Sequence, residues 1–179
     1  MKIKTSKKAL TYLMLAIALF SCHKRTQSPS NKFDQTDSSS IEMMKLNQLL
    51  VDVEQKEIKG YIDTCSLKFN YVQTGYWIAK TKQGTGKSIK EGDAIEIEYQ
   101  IETLAGKKCY TYTDKLKKHL VIGKLEKQRG FDEGLSSLKE GDQATFIIPS
   151  NLAFGVMGDM RSIPPRATLI YRVFSIKHK

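Results

Sequence analysis

The chain has 179 residues with 29 Lys+Arg against 19 Asp+Glu, a formal net charge of +10. That length accommodates one globular domain with appendages, and 40% hydrophobic with 27% charged residues excludes both a disordered chain and a multi-span membrane protein. Three Cys without a CxxC pair exclude a disulfide scaffold, and His23, His119 and His178 lie far apart with no Cys at ligand spacing, which argues against a structural zinc site.

The N-terminus reads as a targeting segment. Residues 1–8 carry Lys2, Lys4, Lys7 and Lys8 and no acid, and Ala9–Phe20 is an apolar run. A basic stretch followed by ~7–15 apolar residues is the pattern of a secretory leader. At ~1.5 Å per residue the run is too short to cross a ~30 Å hydrocarbon core. It ends in Leu19-Phe20-Ser21-Cys22, which resembles the bacterial lipobox, in which the Cys is diacylated and becomes the new N-terminus. Cys22 is therefore the expected lipidation site and residues 1–21 the leader; an ordinary leader with a chance Cys is the alternative. Several acyl chains would anchor the protein to a membrane, since each buried CH₂ contributes ~0.8 kcal/mol. Four Lys and no acid leave with the leader, so the 25 remaining bases against 19 acids give +6. That balance suits an anionic envelope surface, and nucleic acid is not an expected partner because no basic run is interleaved with aromatics.

Residues 22–40 are polar and Ser-rich and read as a flexible tether. Ser39-Ser40-Ile41-Glu42 fits a capping box, with Ser39 as N-cap and Glu42 at N3. Apolar residues then recur at Met43, Leu46, Leu50, Val53, Ile58, Tyr61 and Ile62, predicting an amphipathic helix over 41–62 that breaks near Gly60. Its stripe is expected to pack on the following domain; a homodimer contact through residues 41–62 is the alternative. A connector runs to residue 75, completing a 41–75 segment ahead of a domain at 76–179.

From Tyr76 the signals become β. Tyr76–Lys80 is a short aromatic and apolar run. Ile95, Ile97, Tyr99 and Ile101 alternate with Glu96, Glu98, Gln100 and Glu102, which predicts a strand with one buried and one wet face. Leu120–Ile122, Ala144–Ile148 and Leu169–Ile176 are further strands, and Gly130–Leu138 reads as one short helix. The fold class is α+β: a twisted antiparallel sheet with a single short helix, preceded by an N-terminal amphipathic helix.

Several segments line up in order: Glu91–Tyr99, Gly130–Leu135, Leu138–Asp142, Ile148-Pro149-Ser150, Ala153-Phe154-Gly155 and Ile163-Pro164-Pro165-Arg166-Ala167-Thr168-Leu169. Together they resemble the FK506-binding-protein family of peptidyl-prolyl cis–trans isomerases, from about Gly75 to the C-terminus. The lipobox, the preceding helix and the wording of Phe146–Asp159 are similar to the gliding-motility-associated isomerase-like lipoproteins of Bacteroidetes. The resemblance implies a five- or six-stranded sheet curled around the short helix, with a prolyl pocket between them. It implies Phe131 as the pocket floor, Tyr99, Phe154, Ile163 and Tyr171 as its walls, and Leu120 as lining. It further implies a backbone N–H of Gln128 that donates to a substrate carbonyl, and Met157 and Asp159 on a loop over the rim. The expected activity is isomerisation of X–Pro bonds in exported proteins, with no cofactor.

The pattern departs from the family around Gly106–Tyr112. Cys109 stands where a pocket Phe is usual, and Tyr110 replaces the usual Asp but keeps its place among the expected substrate-binding residues. Lys127-Gln128 replaces an apolar pair, Phe131 stands where Trp or Leu is common, and Lys118 falls where an aromatic is frequent. The lost carboxylate and thinned lining imply weaker inhibitor binding and lower turnover. A non-catalytic peptide-binding or chaperone module, or a structural subunit of an envelope assembly, are the competing readings. Cys65 and Cys109 are expected to stay unpaired.

Overall fold

The computed structural model describes residues 38–113 and 116–179. The expected leader, Cys22 and most of the tether lie outside the described residues. The fold lies in the compact unit Leu46–Lys179.

Helix α1 spans Ser38–Thr64. Its start lies before the anticipated cap, and it does not break at Gly60. A Cβ at Gly60 would meet nothing within 4 Å, so this exposed glycine costs the helix only its extra backbone entropy, about 1 kcal/mol. Seven strands follow among the described residues: β1 Asn70–Val72, β2 Tyr76–Lys82, β3 Ala94–Thr103, β4 Lys108–Tyr112, β5 Lys118–Val121, β6 Gln143–Ile148 and β7 Leu169–His178. Helix α2, Arg129–Ser136, precedes β6. The sheet order is β1-β2-β6-β7-β3-β4, and all pairs are antiparallel. The long strand β3 also pairs with β5 through Ala94–Ile97 and with β4 through Tyr99–Glu102, so both lie along the same edge. Two short 3₁₀ turns, Ser150–Leu152 and Gly155–Met157, open the loop between β6 and β7.

The alternation in β3 does place Ile95, Ile97, Tyr99 and Ile101 in the core. Glu102 departs from the expected wet face. It is 8% exposed and accepts from Arg172 Nε at 2.9 Å and Nη2 at 2.5 Å. Opposite β3, strand β7 carries a bulge: Glu98 faces Ser175, whereas Tyr99 faces Val173. Phe174 is the extra residue and stays partly exposed. The bulge changes the phase of the strand, so that Ile176 on one side and Val173 and Tyr171 on the other all point inward.

Helix α2 lies against that inner face. Phe131, Leu135 and Leu138 are fully or almost fully buried and share one core with Tyr76, Ile95, Ile97, Tyr99, Phe146 and Tyr171. The approach is close enough to require glycine: a Cβ at Gly134 would lie 2.6 Å from Phe146 Cε1.

A second, smaller core on the opposite face comprises Ile58, Ile147 and Ile170, flanked by Tyr61, Ile62, Phe69, Trp77 and Leu104. The expectation that the stripe of α1 packs on the domain therefore holds from Ile58 onward. Upstream, Leu46, Leu49, Val51 and Val53 are exposed. Glu54 fixes the helix: its Oε1 accepts from the Ser150 backbone N–H at 2.7 Å and from Thr168 Oγ1 at 2.6 Å.

Among the described residues Asp142 is the most buried acid, at 1% exposure. It accepts from the backbone N–H groups of Gly84 (2.5 Å) and Lys139 (2.9 Å) and from Lys80 Nζ (3.3 Å). Burial alone would raise its pKa, but these donors outweigh burial and hold the carboxyl below its ordinary value. Its contribution to stability is therefore present above the unfolded-state pKa and is lost as pH falls through the depressed native one. Asp142→Asn turns an NH₂ toward one of those donors and is expected to cost about 2–3 kcal/mol at pH 7. Urea titrations from pH 7 downward check this: the gap between wild type and variant should close as the wild-type carboxyl protonates.

Candidate active site

The inward phase of β3 and β7 brings three rings together under α2. Phe131 stacks on Tyr171 with centroids 4.2 Å apart and a 21° interplanar angle. Tyr99 lies 5.1 Å from Phe131 and 6.3 Å from Tyr171. Phe131 comes from the first turn of α2, Tyr99 from mid-β3 and Tyr171 from β7, so the cluster exists only once sheet and helix have met. Burial pushes the Tyr99 and Tyr171 hydroxyls well above the usual tyrosine range, keeping both protonated at neutral pH.

The remaining expected site residues are distributed around these three. Ile163 is buried in the same core, 3% exposed. Leu120, on β5, is also in that core, directly across from Ile95. Phe154 is half-buried between the two 3₁₀ turns and packs against this core, but among the described residues it makes no ring-to-ring contact with Tyr99, Phe131 or Tyr171. The Gln128 backbone N–H, expected to meet a substrate carbonyl, closes a turn onto the Leu125 carbonyl at 2.8 Å. The side chain is what reaches the cluster, with Oε1 accepting from Tyr171 Oη at 3.0 Å. Cys65 and Cys109 are both free thiols.

Tyr110 and Asp159 meet. The Tyr110 hydroxyl donates to Asp159 Oδ2, while Asp159 Oδ1 accepts from the backbone N–H groups of Arg161 (2.9 Å) and Ile163 (2.8 Å). Burial would raise the Asp159 pKa, but those donors hold it below the usual carboxylate range; the carboxylate in turn pushes the Tyr110 hydroxyl up. Two more β4-side contacts reach the same loop, Lys107 Nζ and Cys109 Sγ, at 3.2 and 3.4 Å from the Ser162 carbonyl oxygen. The loop itself turns through Gly158 at φ 65°, where a Cβ would sit 2.3 Å from the Ile163 carbonyl oxygen. The two unusual residues of β4 thus clasp the rim loop.

Two residues beyond the sequence-based set belong to this arrangement. Tyr112 lies 4.9 Å from Tyr99 and stacks on Tyr110 at 6.2 Å, with Lys118 Nζ 5.6 Å from its ring centroid. Asp132 accepts from the backbone N–H groups of Gly123 (2.9 Å) and Leu125 (3.1 Å), fixing the segment that leads to Gln128. An acid in the first turn of a helix, just after a Gly-punctuated stretch, was the available signal for Asp132. The lack of an apolar pattern in Lys108–Tyr112 hid the strand that places Tyr112.

A sheet curled over one helix, with aromatic rings gathered at their junction, defines a class that the comparisons identify. Residues 85–175 match the model of the FKBP-type peptidyl-prolyl cis–trans isomerases. The chain belongs to that family and carries an FKBP-type isomerase domain. It is 37% identical over 100 residues to a probable FKBP-type peptidyl-prolyl cis–trans isomerase FkpA of Neisseria meningitidis, a match covering 54% of this chain and 35% of that protein. It is 32% identical over 104 residues to an FK506-binding protein of the same species, covering 58% of this chain and 95% of that one. The chain thus spans only about a third of the first relative and nearly all of the second. The crystal structure of FkpA from Escherichia coli shares the fold, with a TM-score of 0.61 and 22% identity over 98% of this chain and 84% of that one.

If the clasp holds the loop, Tyr110→Phe should leave global stability within about 1 kcal/mol, the net worth of one hydrogen bond, yet loosen residues 155–166. Amide exchange resolved by residue checks this: faster exchange at Ile163 with unchanged exchange in β3 and β7 is the expected pattern.

Proposed function

We propose that the protein is a peptidyl-prolyl cis–trans isomerase of the cell envelope, lipidated at Cys22 and acting on X–Pro segments of exported proteins. The observation that carries the catalytic part is the gathering of Tyr99, Phe131 and Tyr171 at the junction of sheet and helix, in a domain of the isomerase family. The anchor rests on the Lys-rich start, the apolar run and the lipobox-like Leu19–Cys22. The likeness of Phe146–Asp159 to gliding-associated lipoproteins supports a place for the protein in that machinery.

The chemistry follows from the amide. Rotation about X–Pro faces a barrier of ~18–20 kcal/mol because resonance gives the C–N bond partial double-bond character, and unaided it takes tens to hundreds of seconds. Resonance puts negative charge on the carbonyl oxygen, and water stabilises that charge. An apolar, ring-lined surface withdraws the water and favours the twisted, less polar amide, while contacts to the proline ring hold the geometry. Rings, and not acids or bases, are what such a site requires. In this reading Phe154, half-buried on the rim loop, covers a seated proline, and the buried rings of Phe131 and Tyr171 are the base.

A second reading is favoured by two observations: the Gln128 N–H is engaged and Phe131 and Tyr171 have no exposed surface, as suits a module that docks peptides without turning them over. A protease-free assay of cis-to-trans conversion in a short X–Pro peptide separates the two. Catalysis that falls about tenfold or more in Phe154→Ala supports the isomerase; a rate equal to buffer at high protein concentration leaves the docking module. The anchor has its own test. Cys22→Ala should move the protein from the membrane to the soluble fraction and abolish labelling by a radioactive fatty acid, and unchanged fractionation would refute lipidation.

A further inference from the structure

The junction of the three rings is closed. Phe131 and Tyr171 have no exposed surface and Tyr99 keeps 3%, so a pyrrolidine ring can reach them only after something moves. The group at the seam is Gln128. A phenolic hydroxyl cut off from water needs an acceptor, and that of Tyr171 has Gln128 Oε1 at 3.0 Å. This acceptor is a carboxamide, chemically a peptide carbonyl carried on a flexible stem. The backbone beneath it is fixed: its N–H is bound to the Leu125 carbonyl, and Asp132 holds the N–H groups of Gly123 and Leu125. Gln128 is only half-buried, so its side chain has solvent to swing into. Tyr171, stacked on Phe131 at 4.2 Å, does not.

We propose that the Gln128 carboxamide is a placeholder for a substrate amide: on binding it swings out, and the Tyr171 hydroxyl passes its hydrogen bond from Gln128 Oε1 to a carbonyl oxygen of the X–Pro segment. The proposal rests on the prolyl site described above and adds to it a donor and a gate. Only one carbonyl suits the role. A hydrogen bond to the oxygen of the rotating amide would strengthen its C–N double-bond character and oppose rotation. The carbonyl of the proline itself lies beyond the rotating bond and can stay fixed while the preceding residue turns. The exchange swaps one amide carbonyl for another, so a correctly placed segment opens the gate at little net cost. A segment that presents no acceptor there leaves the buried hydroxyl unpaired. Burial keeps that hydroxyl protonated through the neutral range, so it donates at every working pH. The proton stays on Tyr171 throughout, and no bond other than hydrogen bonds is made or broken. The site therefore selects its peptides by the position of the proline carbonyl as well as by the fit of the ring.

The test compares an X–Pro tetrapeptide with its analogue carrying a thiocarbonyl, a weaker acceptor, at the proline. Exchange rates are measured by NMR on the full chain, with thermal unfolding as a fold control. Wild type should favour the oxo-peptide in kcat/KM by about fivefold, the equivalent of one hydrogen bond of about 1 kcal/mol. Tyr171→Phe should lose that preference, and Gln128→Ala should raise kcat/KM about threefold or more by removing the competitor. The gain should vanish in the double variant. Should Tyr171→Phe fail to fold, the oxo-to-thio ratio of wild type and the rate of Gln128→Ala decide alone. Unchanged rates in Gln128→Ala, with no oxo preference in wild type, overturn the proposal. A separate readout is the Gln128 side-chain amide signal, which should move when the oxo-peptide is titrated in. If it moves while no peptide is turned over, the gate stands and the isomerase reading falls. If peptides are turned over while it stays fixed, the gate falls and the isomerase reading stands.

Discussion

One extra residue in β7 decides whether this domain has a site at all. Side chains on a strand alternate strictly, so without the bulge at Phe174 a strand that buries Ile176 would turn Arg172 inward and Tyr171 outward. With it, Tyr171 and Val173 join Ile176 on the inner face, directly across from Ile101 and Tyr99 of β3 and from Phe146 and Ala144 of β6. Arg172 is sent to the opposite face, where Glu102 neutralises it and Tyr61 Oη, 3.3 Å away, ties it to α1. The cost of the bulge is visible in Phe174 itself, an aromatic left 39% exposed, whose carbonyl is taken by Gln143 Nε2 at 2.8 Å. The same irregularity therefore sets the inner ring cluster and the outer seat of the N-terminal helix.

That constraint explains which features the sequence made legible. The alternation of β3 carries its own periodicity, and the Pro164-Pro165 turn is tied to residue types whose backbone preferences are strong, so both could be read directly. The helix Gly130–Leu138 was legible from its apolar spacing, and it is observed as Arg129–Ser136. Strand β4 was not legible, because Lys108–Tyr112 has no buried face to write a pattern: its side chains spend themselves on the rim loop and on Tyr99. Helix α1 was read one break too many, since a glycine that touches nothing weakens a helix without ending it. The turn bond of the Gln128 N–H was not legible for a different reason. A motif fixes which residue stands at a position, not whether its backbone group is already engaged by a carbonyl three residues earlier.

The departures from the family pattern acquire a common logic once their partners are known. Cys109 and Tyr110 face Ser162 and Asp159, so the carboxylate missing from β4 is present after all, contributed from the loop across the gap. Gln128 supplies a polar partner to the hydroxyl of Tyr171 in an otherwise apolar junction. Three substitutions that look like losses, taken singly, are each half of a pair. Asp159 also caps its own turn through Arg161 and Ile163, so one acid determines both the shape of the loop and its distance from β4. The rim is therefore held by charge-assisted hydrogen bonds that tolerate solvent, while the base is held by ring stacking that requires its absence.

This division bears on how a closed site can still be a working one. Phe131 and Tyr171 have no exposed surface and Tyr99 keeps 3%, so a ligand at the junction must exchange one set of contacts for another. The inner rings cannot provide that exchange, because Phe131 and Tyr171 are locked by α2, β6 and each other. The groups that can move lie at the perimeter: Gln128, half-buried on a fixed turn, and Phe154, half-buried between two single-turn helices. A rigid aromatic base beneath a replaceable polar and aromatic rim is what the bulge of β7, the clasp of β4 and the turn fixed by Asp132 jointly produce. Each of those devices sets the position of a side chain at the ring cluster or its rim: Tyr171 by the bulge, the loop of Ile163 by the clasp, and Gln128 by the turn.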